Sequence, residues 1–95
     1  SLISLFTLLP GSFLFAQTTV YAYLKDNAGK PVESAEVDLK GSGMAVKVDK
    51  IGYFQFVDLK AGHYQIVITK PDFETKVMEF DVENEKKKDL GVVTL

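Results

Sequence analysis

One imidazole, His63, and no cysteine are present in this chain. Acid–base, nucleophilic and metal chemistry needs such groups to converge with carboxylates or hydroxyls, and His63 stands beside Gly62 in a stretch that reads as an exposed turn without partners. Ser12, Ser34 and Ser42 lack the setting of a nucleophile elbow, and no glycine motif for cradling phosphate occurs. Asp26, Asn27, Asp49 and Asp58 offer oxygens of the kind calcium takes, but their spacing is not that of a calcium loop, and each falls where a turn needs a cap. These residues point to no catalytic centre, no metal and no cofactor. The chemistry that remains is aromatic: Tyr21, Tyr23 and Tyr53 fall on outer strand faces and form a candidate ligand face of the kind on which a glycan stacks, although the chain has no tryptophan.

The elements that position these residues are short strands separated by turn chemistry. From Thr18 to Lys25, Val20, Ala22 and Leu24 alternate with Tyr21, Tyr23 and Lys25, so the tyrosines take the face opposite the core. Asp26 to Pro31 combines turn-forming side chains, Gly29 and a proline, which ends the strand and reverses the chain, and Val32 tucks under the sheet. Ala35, Val37 and Leu39 alternate with Glu36, Asp38 and Lys40, and after Gly41-Ser42-Gly43 a strand from Met44 to Val48 follows. Asp49 opens the next turn and Gly52 takes the positive φ that the reversal needs. Phe54 and Phe56 then point inward, with Tyr53 and Gln55 outward, and Gly62 closes a further turn before Tyr64, Ile66 and Ile68. Lys70-Pro71-Asp72 breaks the pairing; Met78, Phe80 and Val82 alternate with Glu79, Asp81 and Glu83; a polar turn from Asn84 to Lys88 leads to a closing strand from Leu90 to Leu95. Asp26, Gly29, Pro31, Asp49, Gly52 and Gly62 are thus read as fold-determining turn residues. Seven strands at this spacing predict an all-β, antiparallel Greek-key sandwich, with no substantial amphipathic helix.

With 95 residues, 46% hydrophobic and 25% charged, the chain has room for one core, and a net charge of −2 supplies no basic field for nucleic acid. The run Lys86-Lys87-Lys88 is offset by Glu83, Glu85 and Asp89 and reads as a solvated turn. Residues 1–16 carry no charge and are rich in Leu and Phe. They are too few to span a bilayer, for which roughly 20 apolar residues are needed, but they suit the h- and c-regions of a partial signal peptide cleaved after Ala16. The expected organisation is a signal segment over 1–16 and one mature domain over 17–95, without a membrane span. Absence of cysteine excludes a lipidated amino-terminal cysteine and a disulfide framework, so packing alone must hold the domain.

The segment Tyr23 to Val32, then Ala35-Glu36-Val37, the turn from Asp49 to Phe56, and Leu59 to Tyr64 resemble the carboxypeptidase regulatory-like domain in order and spacing. The resemblance covers nearly all of Thr18 to Leu95 and implies a transthyretin-like, or prealbumin-like, sandwich of seven strands. It departs from the family pattern at Ser34 and Asp72, which stand where glycine is common; both types can fill turns, and Asp tolerates left-handed backbone. Catalytic residues are not implied, because the enzymatic centre of carboxypeptidases lies in another domain. Lys–Asn isopeptide cross-links of related bacterial surface domains are not expected either, since Asn27 and Asn84 fall in turns and the strand lysines face outward.

What the resemblance implies is a non-catalytic, exported structural or interaction module, an accessory domain of a larger cell-envelope or secreted protein. Its partners would be other domains of that protein or an envelope protein, in the periplasm, at the outer membrane or outside the cell. The alternatives are a carbohydrate- or peptide-binding module on the tyrosine face, or the amino-terminal extension of a TonB-dependent outer-membrane receptor. The junction Phe15-Ala16-Gln17 resembles exported proteins of the Bacteroidetes. Partner recruitment by β-addition is a further expectation, with the Leu90–Leu95 strand as the edge.

Overall fold

Alternation of apolar and polar residues makes each strand of this chain bury one face, and two sheets are needed to cover those faces. The computed structural model describes residues 17–95. The expected signal segment with its cleavage point, and Ser12, lie outside the described residues. Seven strands follow in order: β1 (Thr18–Lys25), β2 (Glu36–Leu39), β3 (Met44–Lys47), β4 (Tyr53–Leu59), β5 (Gly62–Thr69), β6 (Lys76–Val82) and β7 (Lys87–Thr94). They form a three-stranded sheet, β4-β1-β7, and a four-stranded sheet, β3-β2-β5-β6. No helix occurs among the described residues.

This is the seven-stranded all-β sandwich that the alternation predicts, with one departure. Every strand pair is antiparallel except β1 with β7, which run parallel from Thr19↔Lys87 to Lys25↔Thr94. The chain crosses from the four-stranded to the three-stranded sheet between β6 and β7 and meets the free side of β1 in the same direction. β7 also starts earlier than expected: Lys87 and Lys88 belong to the strand, not to the preceding turn.

The core lies between the sheets. Val20, Ala22 and Leu24 of β1 with Phe54, Phe56 and Leu59 of β4 meet Val37, Leu39, Ile66, Ile68, Phe80 and Val82 of the other sheet. Val32 and Ala35 fill it from the β1–β2 connection, and Val48 from the segment after β3. Buried aromatic and branched side chains of this kind each contribute about 1.5–3 kcal/mol through removal from water. Thr18 is the one buried polar residue among the described residues, and its hydroxyl donates to the Glu85 carbonyl, tying the start of β1 to the approach to β7.

Non-glycine residues take positive φ at Ser34 (66°), Asp58 (62°) and Asp72 (73°). Ser34 and Asp72 therefore adopt the left-handed backbone for which the family commonly uses glycine. Asp72 is the third residue of the turn in which the Phe73 amide donates to the Lys70 carbonyl at 3.1 Å, with Pro71 before it.

Candidate functional site

Two turns of the same construction meet at one end of the three-stranded sheet. In each, an aspartate is followed by glycine three residues later: Asp26 with Gly29 and Asp49 with Gly52. Asp26 Oδ1 accepts from the amides of Ala28 and Lys30 at 2.8 and 2.9 Å. Asp49 Oδ1 accepts from those of Ile51 and Tyr53 at 3.0 and 2.9 Å. The backbone closes both turns in the same way, Gly29 N to Asp26 O and Asp26 N to Lys30 O in one, Gly52 N to Asp49 O and Asp49 N to Tyr53 O in the other. Leu24 joins them, donating its amide to Gly52 O at 2.7 Å and accepting the Val32 amide at 3.0 Å, while Pro31 bridges back to Lys25.

Gly62 serves a different reversal, the one between β4 and β5. It ends the short β4–β5 connection as the first residue of β5, with φ 158°, and an added Cβ would meet only the Tyr64 ring at 3.9 Å. Its φ still lies among values that side chains rarely adopt, so glycine suits the position by conformation although space is not limiting. Just before this reversal the chain also bends at Asp58, where the β1–β4 register shifts.

The Asp49 turn delivers Tyr53 to the outer face of the three-stranded sheet, opposite Tyr23, with Tyr21 opposite Gln55. Ring centroids of Tyr23 and Tyr53 lie 5.2 Å apart and those of Tyr21 and Tyr53 6.2 Å apart, both pairs tilted. The structure thus brings together the three tyrosines expected to share a face. The Tyr53 hydroxyl donates to Gln55 Oε1 at 2.8 Å. Partial withdrawal from water, then the neighbouring Tyr23, Tyr21 and Asp49, hold the Tyr53 phenol above the ordinary tyrosine range. Val92, paired with Tyr23 in β7, and Val57 of β4 are exposed and extend the face with apolar surface.

The outer face of the four-stranded sheet is of a different kind. His63, expected in a turn without partners, lies in β5 opposite Asp81 of β6. Its Nδ1 is 2.7 Å from Asp81 Oδ1 and its Nε2 is 2.7 Å from Glu79 Oε1. Hydrogen bonds to Asp81 and then Glu79 favour the imidazolium and raise the His63 pKa against a small opposing effect of burial. All three side chains are more than half exposed. The two ring nitrogens point to different carboxylates, so the cluster is a bridge across two strands and not a converging ligand set. A signal for it was available: a hairpin centred on Asp72 sets His63 against Asp81 by counting outward from the turn.

Asp26 and Asp49 spend their carboxylates on turn amides, and no group of three or more His, Cys, Asp or Glu placed to hold a metal ion occurs among the described residues. Beside the Asp26 turn, an open cleft of about 510 Å³ is lined by Asp26, Asn27, Asp72, Phe73 and Leu95, among others. None of the described helices is long and apolar enough to cross a membrane, there being no helix at all among these residues.

Comparison with known proteins bears on the family. The profile of the carboxypeptidase regulatory-like domain matches residues 19–95. A search of curated proteins finds no match. Among solved structures, a chain from an amino-terminal interface mutant of the type II cohesin–X–dockerin complex of Acetivibrio cellulolyticus is 26% identical with a TM-score of 0.66, the match covering 79% of this chain and 52% of that one. The carboxy-terminal interface mutant of the same complex gives 26% identity and a TM-score of 0.65 over 79% and 52%. This chain therefore spans about half the length of those it matches. The major pilin subunit of Bacillus cereus shares the fold, at 16% identity and a TM-score of 0.63, over 83% of this chain and 30% of that one. Seven strands in two sheets, the paired aspartate turns and a profile match over residues 19–95 agree: the chain belongs to the carboxypeptidase regulatory-like domain family.

Proposed function

We propose that this domain is a non-catalytic structural or interaction module, one mature unit over residues 17–95 of a larger exported protein of the cell envelope or extracellular space, preceded by the signal segment over 1–16. It works by rigid presentation: the core and the paired aspartate turns hold an exposed face in a set shape for another protein domain. The observation that carries this reading is the tyrosine cluster. Tyr21, Tyr23 and Tyr53 pack ring to ring outside the core, beside exposed Val57 and Val92, which is the composition of a contact surface. That similar solved chains are described as parts of a cohesin–X–dockerin complex and a pilin is in keeping with it. Immunoblotting of fractionated source cells with an antibody raised against this protein tests the reading. A species much longer than 95 residues in the envelope or medium is expected; a species confined to the cytoplasm overturns it.

The ring cluster also favours a second reading, in which the same face binds a carbohydrate or peptide directly. Retention of the protein on immobilised glycans, lost on replacing Tyr21, Tyr23 and Tyr53 with Ala, supports it, and no retention of the intact protein on any glycan rejects the carbohydrate form. The remaining alternative, the amino-terminal extension of a TonB-dependent receptor, requires a β-barrel encoded in the same polypeptide.

A further inference from the structure

A sandwich of two open sheets has four edges, and three of them here are interrupted. β3 is only four residues long and follows Gly43 at φ 75°. β4 shifts register against β1, with Asp58 at φ 62°. β7, the edge expected to recruit a partner, also shifts register against β1, with Gly91 at φ 79°, and carries Lys88 in register with the buried Val20. Short strands, bulges and inward charges are the devices by which sheets resist extension.

β6 has no such interruption along most of its length. It pairs with β5 through seven consecutive positions, from Gly62↔Val82 to Ile68↔Lys76, without a shift. Among the described residues no strand flanks its other side. Lys76, in register with the buried Ile68, guards one end and leaves Val77 to Val82 open. Along that stretch alternate residues turn their N–H and C=O groups away from β5, a row of donors and acceptors that an added strand can pair.

The side chains on the outer face set the chemistry of that strand. Glu79, Asp81 and Glu83 recur at every second residue and are exposed, with Val77 before them. Glu79 and Asp81 each give one oxygen to His63 on the β5 side. An extended partner shares the two-residue repeat, so cations at its alternate positions fall beside these carboxylates. The central registers disfavour a second copy of this chain: antiparallel pairing centred on Glu79 sets that residue against itself, and centring on Phe80 sets Glu79 against Asp81. We infer that the β6 edge is a binding site for an extended peptide segment bearing Lys or Arg at alternate positions, with apolar residues between them on the core-facing side, beside Met78 and Phe80. This adds a partner class to the interaction-module reading. It stands apart from the export question, which the immunoblot decides.

The probe is a seven-residue peptide of alternating lysine and valine, compared with a peptide of the same composition with its lysines in one block and with an alternating glutamate–valine peptide. Amide exchange of the protein is followed residue by residue by NMR. The alternating lysine peptide is expected to protect those β6 amides that face away from β5, by about tenfold at saturation, and the other two peptides are expected to leave them unprotected. The double variant Glu79→Lys with Asp81→Lys changes only exposed side chains; with thermal unfolding confirming that it is folded, its affinity for the alternating peptide should fall about tenfold or more. Protection appearing on β4 or β7, equal protection by the blocked-lysine peptide, no protection at all, or unchanged affinity of the double variant overturns the assignment.

Discussion

The Asp26 and Asp49 turns have the same hydrogen-bond plan and different surroundings. Each aspartate accepts from two amides, and each glycine takes a left-handed backbone, with φ of 82° at Gly29 and 85° at Gly52. A Cβ added at Gly29 would meet nothing within 4 Å, whereas one added at Gly52 would lie 2.5 Å from the Leu24 carbonyl oxygen and 3.3 Å from Pro31 Cβ. The first turn needs its glycine for conformation alone. At the second, conformation and space both demand it, because this turn is pressed against the chain leaving β1. The Asp49 turn is thus a packing element as well as a reversal, and it also sets Tyr53 beside Tyr21 and Tyr23.

That difference has measurable consequences, the largest at Gly52. Gly52→Ala combines left-handed strain with a clash against backbone that cannot step aside, and a loss of about 3–5 kcal/mol is expected in chemical denaturation. In a domain of ordinary stability this is a large share of the total. Gly29→Ala should lose only about 1–2 kcal/mol, the conformational part. Equal losses at the two glycines would break the comparison. The aspartates supply the control: Asp49→Ala and Asp26→Ala each remove two side-chain acceptor contacts and should each cost about 1–2 kcal/mol, agreeing within about 0.5 kcal/mol if the turns are equivalent in hydrogen bonding. Spectra of Asp49→Ala should also show altered Tyr53 ring environments, which Asp26→Ala should leave nearly unchanged.

The smallest effect belongs to the exposed cluster on the other sheet, where charge and not backbone geometry makes the contact. NMR titration of the His63 ring should give a pKa above the usual histidine value, falling toward it in Asp81→Asn and less so in Glu79→Gln, the order of the two hydrogen-bond effects. A folded-state pKa above the unfolded one means that the cluster stabilises fully below the unfolded value and loses this contribution as pH rises through the folded value. Solvent screening keeps the effect slight. A pronounced drop in stability across that window would show that exposed charge matters here as much as the turns.

Much of the fold was legible in the chain. Val20, Ala22 and Leu24, or Phe54 and Phe56, declare their buried faces through a period of two, and Asp49 with Gly52 declares a turn, because these signals depend on neighbours a few residues apart. Ser34 and Asp72 were recognisable as turn residues in place of glycine, and both have the left-handed backbone. The tyrosine face followed from the same alternation. Less legible was His63. Its partners lie 16 and 18 residues away, so their convergence depends on the β5–β6 register, which the hairpin geometry sets and strand propensity does not.

By itself, then, the sequence determined where strands run, which side of each is apolar, and where the aspartate turns fall, since all three rest on local periodicity and short-range hydrogen bonding. Only the tertiary structure decided that β7 joins β1 in parallel, that β6 is the uninterrupted edge, that His63 sits between two carboxylates, and that Gly52 is pressed on Leu24. Each of these depends on which distant segments become neighbours. That choice is made by covering all the apolar faces at once in a single core, and no one segment of the chain carries it.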